Sequence, residues 1–212
     1  VGESTATIGL MLAVARRITE SDTLMRSGRF DGWRLMDPLM GADVSGATLG
    51  VVGMGRIGRA VARRAYAAFG MRILYSGSTP KSGLPFEAEY VALPELLAAS
   101  DFVSLHAPLT AGTHHLIDSE ALARMRPTAF LINTSRGPLV DETALARALA
   151  AGTIAGAALD VFEHEPQVHP DLMSRTERVV LTAHAGSATA RTREHMSMLA
   201  VEGLLAALGV AG

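Results

Sequence analysis

A succession of short apolar runs without polar alternation does most to limit what this chain can become. The runs fall at Thr48–Val52, Arg72–Tyr75, Phe102–Leu105, Ala129–Asn133, Gly156–Asp160 and Val179–Thr182, most of them stopped by Gly, Ser, Asn, Asp or Pro. A strand apolar on both faces is buried on both faces, which requires a parallel sheet covered by helices. The intervening segments read as those helices: Ile57–Phe69, Leu93–Ala99, Ser119–Met125 and Glu142–Ala151, with a last helix over Ala190–Leu208. The expected fold is α/β, a doubly wound parallel sheet with helices on both faces. Upstream, Glu3–Thr19 reads as a helix with Ile8, Met11, Leu12, Ala15 and Ile18 on one face. A polar, Gly-containing arm, Ser27–Gly46, follows and holds Trp33 and Pro38.

The bulk numbers narrow the partners. The chain has 212 residues, is 49% hydrophobic and 19% charged, and carries a net charge of -2. That balance gives no reason to expect nucleic acid or an anionic membrane surface. No run reaches the length of a membrane span, and no signal-peptide pattern opens the chain. There is no cysteine, so disulfides and thiolate chemistry are excluded, and a cytoplasmic location is expected. Aromatic residues make up 5%, which leaves the core to small aliphatic side chains suited to close helix-on-sheet packing.

Gly53-x-Gly55-x-x-Gly58 lies where the first strand ends and a helix begins. In that context the first glycine permits the tight turn, the second lets the backbone approach a pyrophosphate, and the third lets helix and strand pack closely. The free N–H groups at Arg56 and Ile57, on the positive end of the helix dipole, then face the phosphates. The fold is therefore expected to be Rossmann-like and to bind a dinucleotide. An acid after the second strand would favour NAD through the ribose hydroxyls. Here Tyr75-Ser76-Gly77-Ser78-Thr79-Pro80-Lys81 has none. Ser76, Ser78, Thr79 and Lys81 are candidates for a 2′-phosphate, so NADP is favoured over NAD. A polar surface turn that accepts either cofactor is the alternative.

Reduction of a 2-keto acid requires a cation for the substrate and a proton donor for the developing alkoxide. Arg136 follows the strand Ala129–Asn133, on the sheet edge where such folds bind ligands. Its guanidinium can hold a carboxylate through two charge-assisted bonds. His184 ends the last strand and is the candidate acid/base; Glu165 is its candidate partner, since a carboxylate favours the imidazolium. His106 ends a strand and is a candidate to line the nicotinamide side of the cleft. His114, His115, His164, His169 and His195 have no metal-ligand spacing along the sequence, so no metal is expected. Ser135 and Ser187 lack the context of a hydrolase nucleophile.

The chain resembles the D-isomer-specific 2-hydroxyacid dehydrogenases. The likeness rests on Gly50–Ala62, on Ser104-Leu105-His106-Ala107-Pro108-Leu109-Thr110, on Leu131–Gly137, on Ala158–Pro166 and on Gly186-Ser187-Ala188-Thr189. The resemblance implies that Arg136 orients substrate, that His184 is the acid/base and that Glu165 is its partner. It also implies that Asp160 lies near the nicotinamide carboxamide, and that Pro108, Thr113, Thr134, Ser135, Arg136, His184 and Gly186 line the cofactor pocket. The subgroup likeness is to glyoxylate/hydroxypyruvate reductases, through Asp31-Gly32-Trp33 and Leu74-Tyr75-Ser76-Gly77. Other members of the family would act on phosphoglycerate or phosphite.

Ala183 and Ala185 flank His184 where the family usually has proline and a larger aliphatic, which points to a wider pocket. Most of the family's substrate lobe is expected to be absent, and hydride transfer is then expected to be poor. The expected division is 1–46, an interdomain and dimerisation helix with its arm; 47–190, the NAD(P)-binding domain; and 191–212, a helix returning towards the substrate lobe. The apolar face of Glu3–Thr19 has little in this chain to cover it, so a homodimer through residues 3–45 is expected. A dinucleotide-sensing binding module resembling the C-terminal-binding-protein corepressors is the competing class. The lack of a basic nuclear-localisation run counts against it.

Overall fold

In the computed structural model the described residues are 2–35 and 39–209, so Pro38 of the arm and the end of the expected 191–212 segment lie outside them. Seven strands form one parallel sheet: Thr48–Val52 (β1), Arg72–Ser76 (β2), Glu89–Tyr90 (β3), Phe102–Leu105 (β4), Phe130–Asn133 (β5), Gly156–Leu159 (β6) and Val179–Leu181 (β7). Their order is β3-β2-β1-β4-β5-β6-β7. The chain builds outward from β1 to β3, then crosses back to lay β4 on the other side of β1. In open sheets of this kind ligands bind at the carboxyl ends of the strands where the order reverses, here between β1 and β4.

The helices are Gly2–Ala15 (α1), Ile18–Arg26 (α2), Arg56–Phe69 (α3), Leu93–Ala99 (α4), Ser119–Arg124 (α5), Glu142–Ala151 (α6), Pro170–Ser174 (α7) and Ala190–Ala207 (α8). They create two cores. Val52, Val103, Leu105, Leu131, Ala157 and Leu159 face α4, α5 and α6. Leu49, Val51, Phe102, Phe130, Ile132 and Ala158 face the opposite way, towards α1 and α3. Successive strand residues thus enter different cores, which is why the strands show no polar alternation. Phe102 and Phe130, on neighbouring strands, stack with centroids 5.3 Å apart. Asp118 and Asp141 start α5 and α6 by accepting the N–H of Ala121 and Ala144, each at 2.9 Å.

The expected first helix, Glu3–Thr19, stops at Ala15, and a second helix that the sequence pattern did not show runs from Ile18 to Arg26. Arg17 turns left-handed (φ 53°) between them. Its guanidinium grips the Glu20 carboxylate, and Glu20 Oε1 also accepts the Arg178 N–H at 2.9 Å. Burial alone would raise the Glu20 pKa; the Arg17 and Arg178 contacts outweigh it and hold the carboxyl below its usual range. This clamp ties α2 to the residue before β7 and redirects the chain.

The face buried by α1 also differs from the expected one. Ser4, Thr7, Leu10, Met11, Val14 and Ala15 are buried, whereas Ile18 is 52% exposed. The helix covers β5, β6 and β7 beside α3. It packs on its own sheet, so an uncovered α1 face no longer argues for a dimer. Large exposed apolar side chains lie instead in the arm, at Phe30, Trp33, Leu35 and Met40. The expected α8 is present, and none of its described residues is buried. Two short elements, β3 and α7, escaped the sequence pattern. No helix of the described residues is long and apolar enough to cross a membrane.

Candidate active site

Every segment singled out for chemistry leaves the carboxyl end of a strand. After β1 the chain turns at Gly53 (φ 98°), where a Cβ would stand 2.6 Å from the His106 carbonyl carbon. At Gly58 a Cβ would collide with the Gly53 carbonyl oxygen. Both positions therefore exclude larger residues. Gly55 opens on free space, and α3 begins there with no side-chain cap. Its first N–H groups are left for a ligand, beside exposed Arg56 and Ile57. These residues fit a pyrophosphate.

The turn after β2 is fastened by two tyrosines. The Tyr75 hydroxyl accepts the Lys81 N–H at 2.8 Å, and the Tyr90 hydroxyl donates to the Gly77 carbonyl at 2.9 Å. Lys81 Nζ reaches Thr79 Oγ1 at 3.0 Å. Ser78 and Thr79 are exposed, and Ser76 ends the strand. One ammonium and nearby hydroxyls thus share the turn where a 2′-phosphate would lie.

After β4, His106 makes a 2.9 Å hydrogen bond between Nε2 and Ser104 Oγ. Burial pushes its pKa down to about 4, so the ring is neutral near pH 7 and is not a cationic anchor there. Thr113 is not free in the structure. Its hydroxyl donates to the Pro108 carbonyl at 2.7 Å and accepts the Thr110 N–H at 2.8 Å, closing the 108–113 turn. A direct cofactor contact from Thr113 would have to share that hydroxyl.

After β5, buried Asn133 shapes the loop. Its Nδ2 donates to the Arg136 carbonyl at 2.9 Å, and its Oδ1 accepts the Ser135 N–H at 3.1 Å. Arg136 is left exposed at the tip. Ser135 Oγ donates to the Ala107 carbonyl at 2.8 Å, which joins this loop to the one after β4. Thr134 Oγ1 pairs with Thr7 Oγ1 at 2.8 Å. Thr7 was not legible as a site residue: only tertiary packing brings α1 to this edge.

Asp160, after β6, is 2% exposed. Its Oδ1 accepts the Thr182 hydroxyl at 2.6 Å and the Ala185 N–H at 2.8 Å, and its Oδ2 accepts the Gly186 N–H at 2.7 Å. Its carbonyl accepts the His184 N–H at 2.9 Å. The resemblance gives this residue a nicotinamide contact; in the structure its carboxylate organises the 182–186 turn. His184 within that turn is left-handed (φ 52°), a conformation of the kind that collects at functional sites and persists only where its surroundings impose it.

His184 Nδ1 lies 2.9 Å from Glu165 Oε2, and Glu165 Oε1 accepts the Phe162 N–H at 3.0 Å. Burial by itself would raise the Glu165 pKa. The bonds from His184 and Phe162 and the charges of His184 and Arg136 prevail and hold it below the usual range. The pair borders an apolar cavity of about 530 Å³ lined by Phe162, Pro166, Val168, Met173, Leu181 and Ala183 among others. The remaining histidines show one convergence that sequence spacing conceals: His114 and His115 meet Glu163.

The comparisons agree with this geometry. Residues 8–186 match the family described as D-isomer specific 2-hydroxyacid dehydrogenase, NAD binding domain. A glyoxylate reductase of Korarchaeum cryptofilum is 52% identical over 93% of this chain and 60% of its own length. A glyoxylate reductase of Thermococcus onnurineus is 51% identical, with the same coverage of each. The chain therefore spans about 60% of the length of these curated relatives. Among solved structures, the NADPH-dependent glyoxylate/hydroxypyruvate reductase of Sinorhizobium meliloti, in complex with NADP and malonate, superimposes with a TM-score of 0.88. It is 40% identical, over 97% of this chain and 63% of that one. The TT0316 protein of Thermus thermophilus gives a TM-score of 0.91 at 47% identity, over 98% of this chain and 65% of that one. The chain belongs to the D-isomer specific 2-hydroxyacid dehydrogenases, whose NAD binding domain it matches over residues 8–186.

Proposed function

We propose that this chain binds NADPH in preference to NADH and takes part in reducing a small 2-keto acid, glyoxylate or hydroxypyruvate. The observation that carries the reading is the 2.9 Å pairing of His184 with Glu165 on the sheet edge that also holds Arg136 and the glycine turn. The bound dinucleotide supplies the hydride. Arg136 holds the acid's carboxylate and polarises its carbonyl oxygen. His184, with Nδ1 turned to Glu165, presents Nε2 as the donor that protonates the developing alkoxide. Ionised Glu165 orients the ring so that Nε2 is turned to the substrate. Asp160 keeps the turn that presents His184. Residues 47–190 would serve as the dinucleotide-binding domain, and 191–212 as the helix leading to the substrate lobe.

Ser78, Thr79 and Lys81 would hold the 2′-phosphate, because no carboxylate in the turn repels it. The homodimer contact would lie in the arm, whose exposed Phe30, Trp33 and Met40 border a groove of about 500 Å³. Sedimentation of a monomer alone at micromolar concentration would remove that part.

The deciding experiment follows NADPH oxidation with glyoxylate and hydroxypyruvate in a version extended to the full length of the relatives, alongside nicotinamide fluorescence titrations with NADPH and NADH. Turnover that His184→Asn lowers by at least about 100-fold is expected, the scale of general-acid catalysis. Tight NADPH binding without reduction of either acid would shift the reading to a dinucleotide-dependent binding module. Tighter NADH binding would remove the assignment of the β2 turn.

A further inference from the structure

His114 and His115 sit side by side in the turn that follows β4. Side chains of consecutive residues in extended chain point to opposite sides. Here His115 is left-handed (φ 50°), and the two rings lie on one side, tilted by 32° with centroids 4.0 Å apart. The turn is pinned from beneath: the His115 N–H donates to the Pro138 carbonyl at 2.8 Å, and the Ile117 N–H to the Leu139 carbonyl at 2.9 Å. Glu163 approaches from the loop after β6, with Oε1 2.6 Å from His115 Nε2. Buried Glu142 holds that loop by accepting the Glu163 N–H at 2.7 Å and the His169 N–H at 3.2 Å. Two imidazole nitrogens and one carboxylate oxygen are thereby gathered within 4.8 Å of one another.

We propose that His114, His115 and Glu163 form a binding site for a borderline divalent cation of the Zn²⁺ class. The candidate site is empty. Ligand atoms about 2.0–2.2 Å from Zn²⁺ in a tetrahedral shell lie roughly 3.3 Å apart. The His115–Glu163 pair, 2.6 Å apart, has to open by a fraction of an ångström, and exposed His114 is the side chain with room to close on it from within 4.8 Å. Two nitrogens with one oxygen favour Zn²⁺, Ni²⁺ or Cu²⁺ over Mg²⁺ or Ca²⁺, which take oxygen shells. Three protein ligands leave a coordination position for water. The ion would tie the loop after β4 to the loop carrying Glu165, two residues beyond Glu163. It would act as a cross-link between the two loops and not as the centre of the hydride transfer.

The test is calorimetric titration of chelator-treated protein with Zn²⁺, with Mg²⁺ as comparison. A saturating isotherm of one Zn²⁺ per chain is expected, with no saturation by Mg²⁺ and with a rise in thermal midpoint. His114→Ala, at an exposed position that leaves the His115–Glu163 pair intact, should weaken Zn²⁺ binding by at least about tenfold. His195→Ala, on exposed α8, should leave it unchanged. Unsaturable Zn²⁺ heats, equal binding of Mg²⁺, or an unchanged isotherm in His114→Ala would each overturn the site. The thermal unfolding midpoint of the metal-free variant, compared with wild type, separates this outcome from misfolding.

Discussion

Asp160→Asn tests how the acid/base histidine is held. The wild-type carboxylate accepts three bonds at 2.6–2.8 Å, from Thr182 Oγ1 and from the N–H groups of Ala185 and Gly186. Asparagine offers one acceptor oxygen. The better rotamer keeps the two bonds at Oδ1 and sets an NH₂ group against the Gly186 N–H. A charge-assisted bond is worth about 1.5–3 kcal/mol, and a buried donor left unsatisfied costs about 1–3 kcal/mol more. Removing a buried charge returns part of that. A net loss of about 2–3 kcal/mol follows, which for a chain of this size lowers the thermal midpoint by roughly 4–12 °C. The turn also loses one of the three side-chain bonds around His184, the one from the Gly186 N–H, so the Glu165–His184 contact should loosen. Urea unfolding and the His184 NMR signals in the variant measure the two effects together. A stability change below about 0.5 kcal/mol, with an unshifted His184 resonance, would refute the reasoning, because surface changes alone produce that much.

Other outcomes follow from the same geometry. Gly58→Ala should lower dinucleotide affinity by more than about tenfold in fluorescence titration, because its Cβ meets the Gly53 carbonyl and opens the glycine turn; unchanged affinity would show that the turn is not the phosphate cradle. Tyr75→Phe removes the acceptor for the Lys81 N–H and should weaken NADPH severalfold while leaving NADH nearly unaffected, as paired titrations would report. Because the Glu165 pKa is depressed in the fold, its contribution to stability is complete above 4.5 and is lost as pH falls through the lowered value. The stability gap between wild type and Glu165→Gln should therefore shrink on acidification, and a gap that widened below pH 4.5 would contradict the pairing.

Much of this architecture is written locally. The runs Phe102–Leu105 and Gly156–Leu159 announce strands buried on two faces because each of their residues enters one of two cores. The ends of α4 and α6 coincide with the expected ones, since a proline and an aspartate mark their starts. The glycine turn, Arg136, Glu165 and His184 were readable because their residue types and order recur on strand ends. The break at Arg17 was not, for it depends on Glu20 reaching Arg178, far along the chain. Two-residue β3 carries too short a pattern to register.

The sequence alone determined the alternation of buried strand and helix, the cradle at the end of β1, and which side chains could carry the chemistry. These are properties of neighbours, set by apolar period, glycine and capping. Only the tertiary structure decided that α1 turns Ser4, Thr7 and Met11 inward onto its own sheet, that Asp160 grips the turn of His184, and that Glu163 meets His114 and His115. Each joins segments distant in sequence, where burial and hydrogen-bond satisfaction depend on the packed whole and leave no periodic trace in either partner.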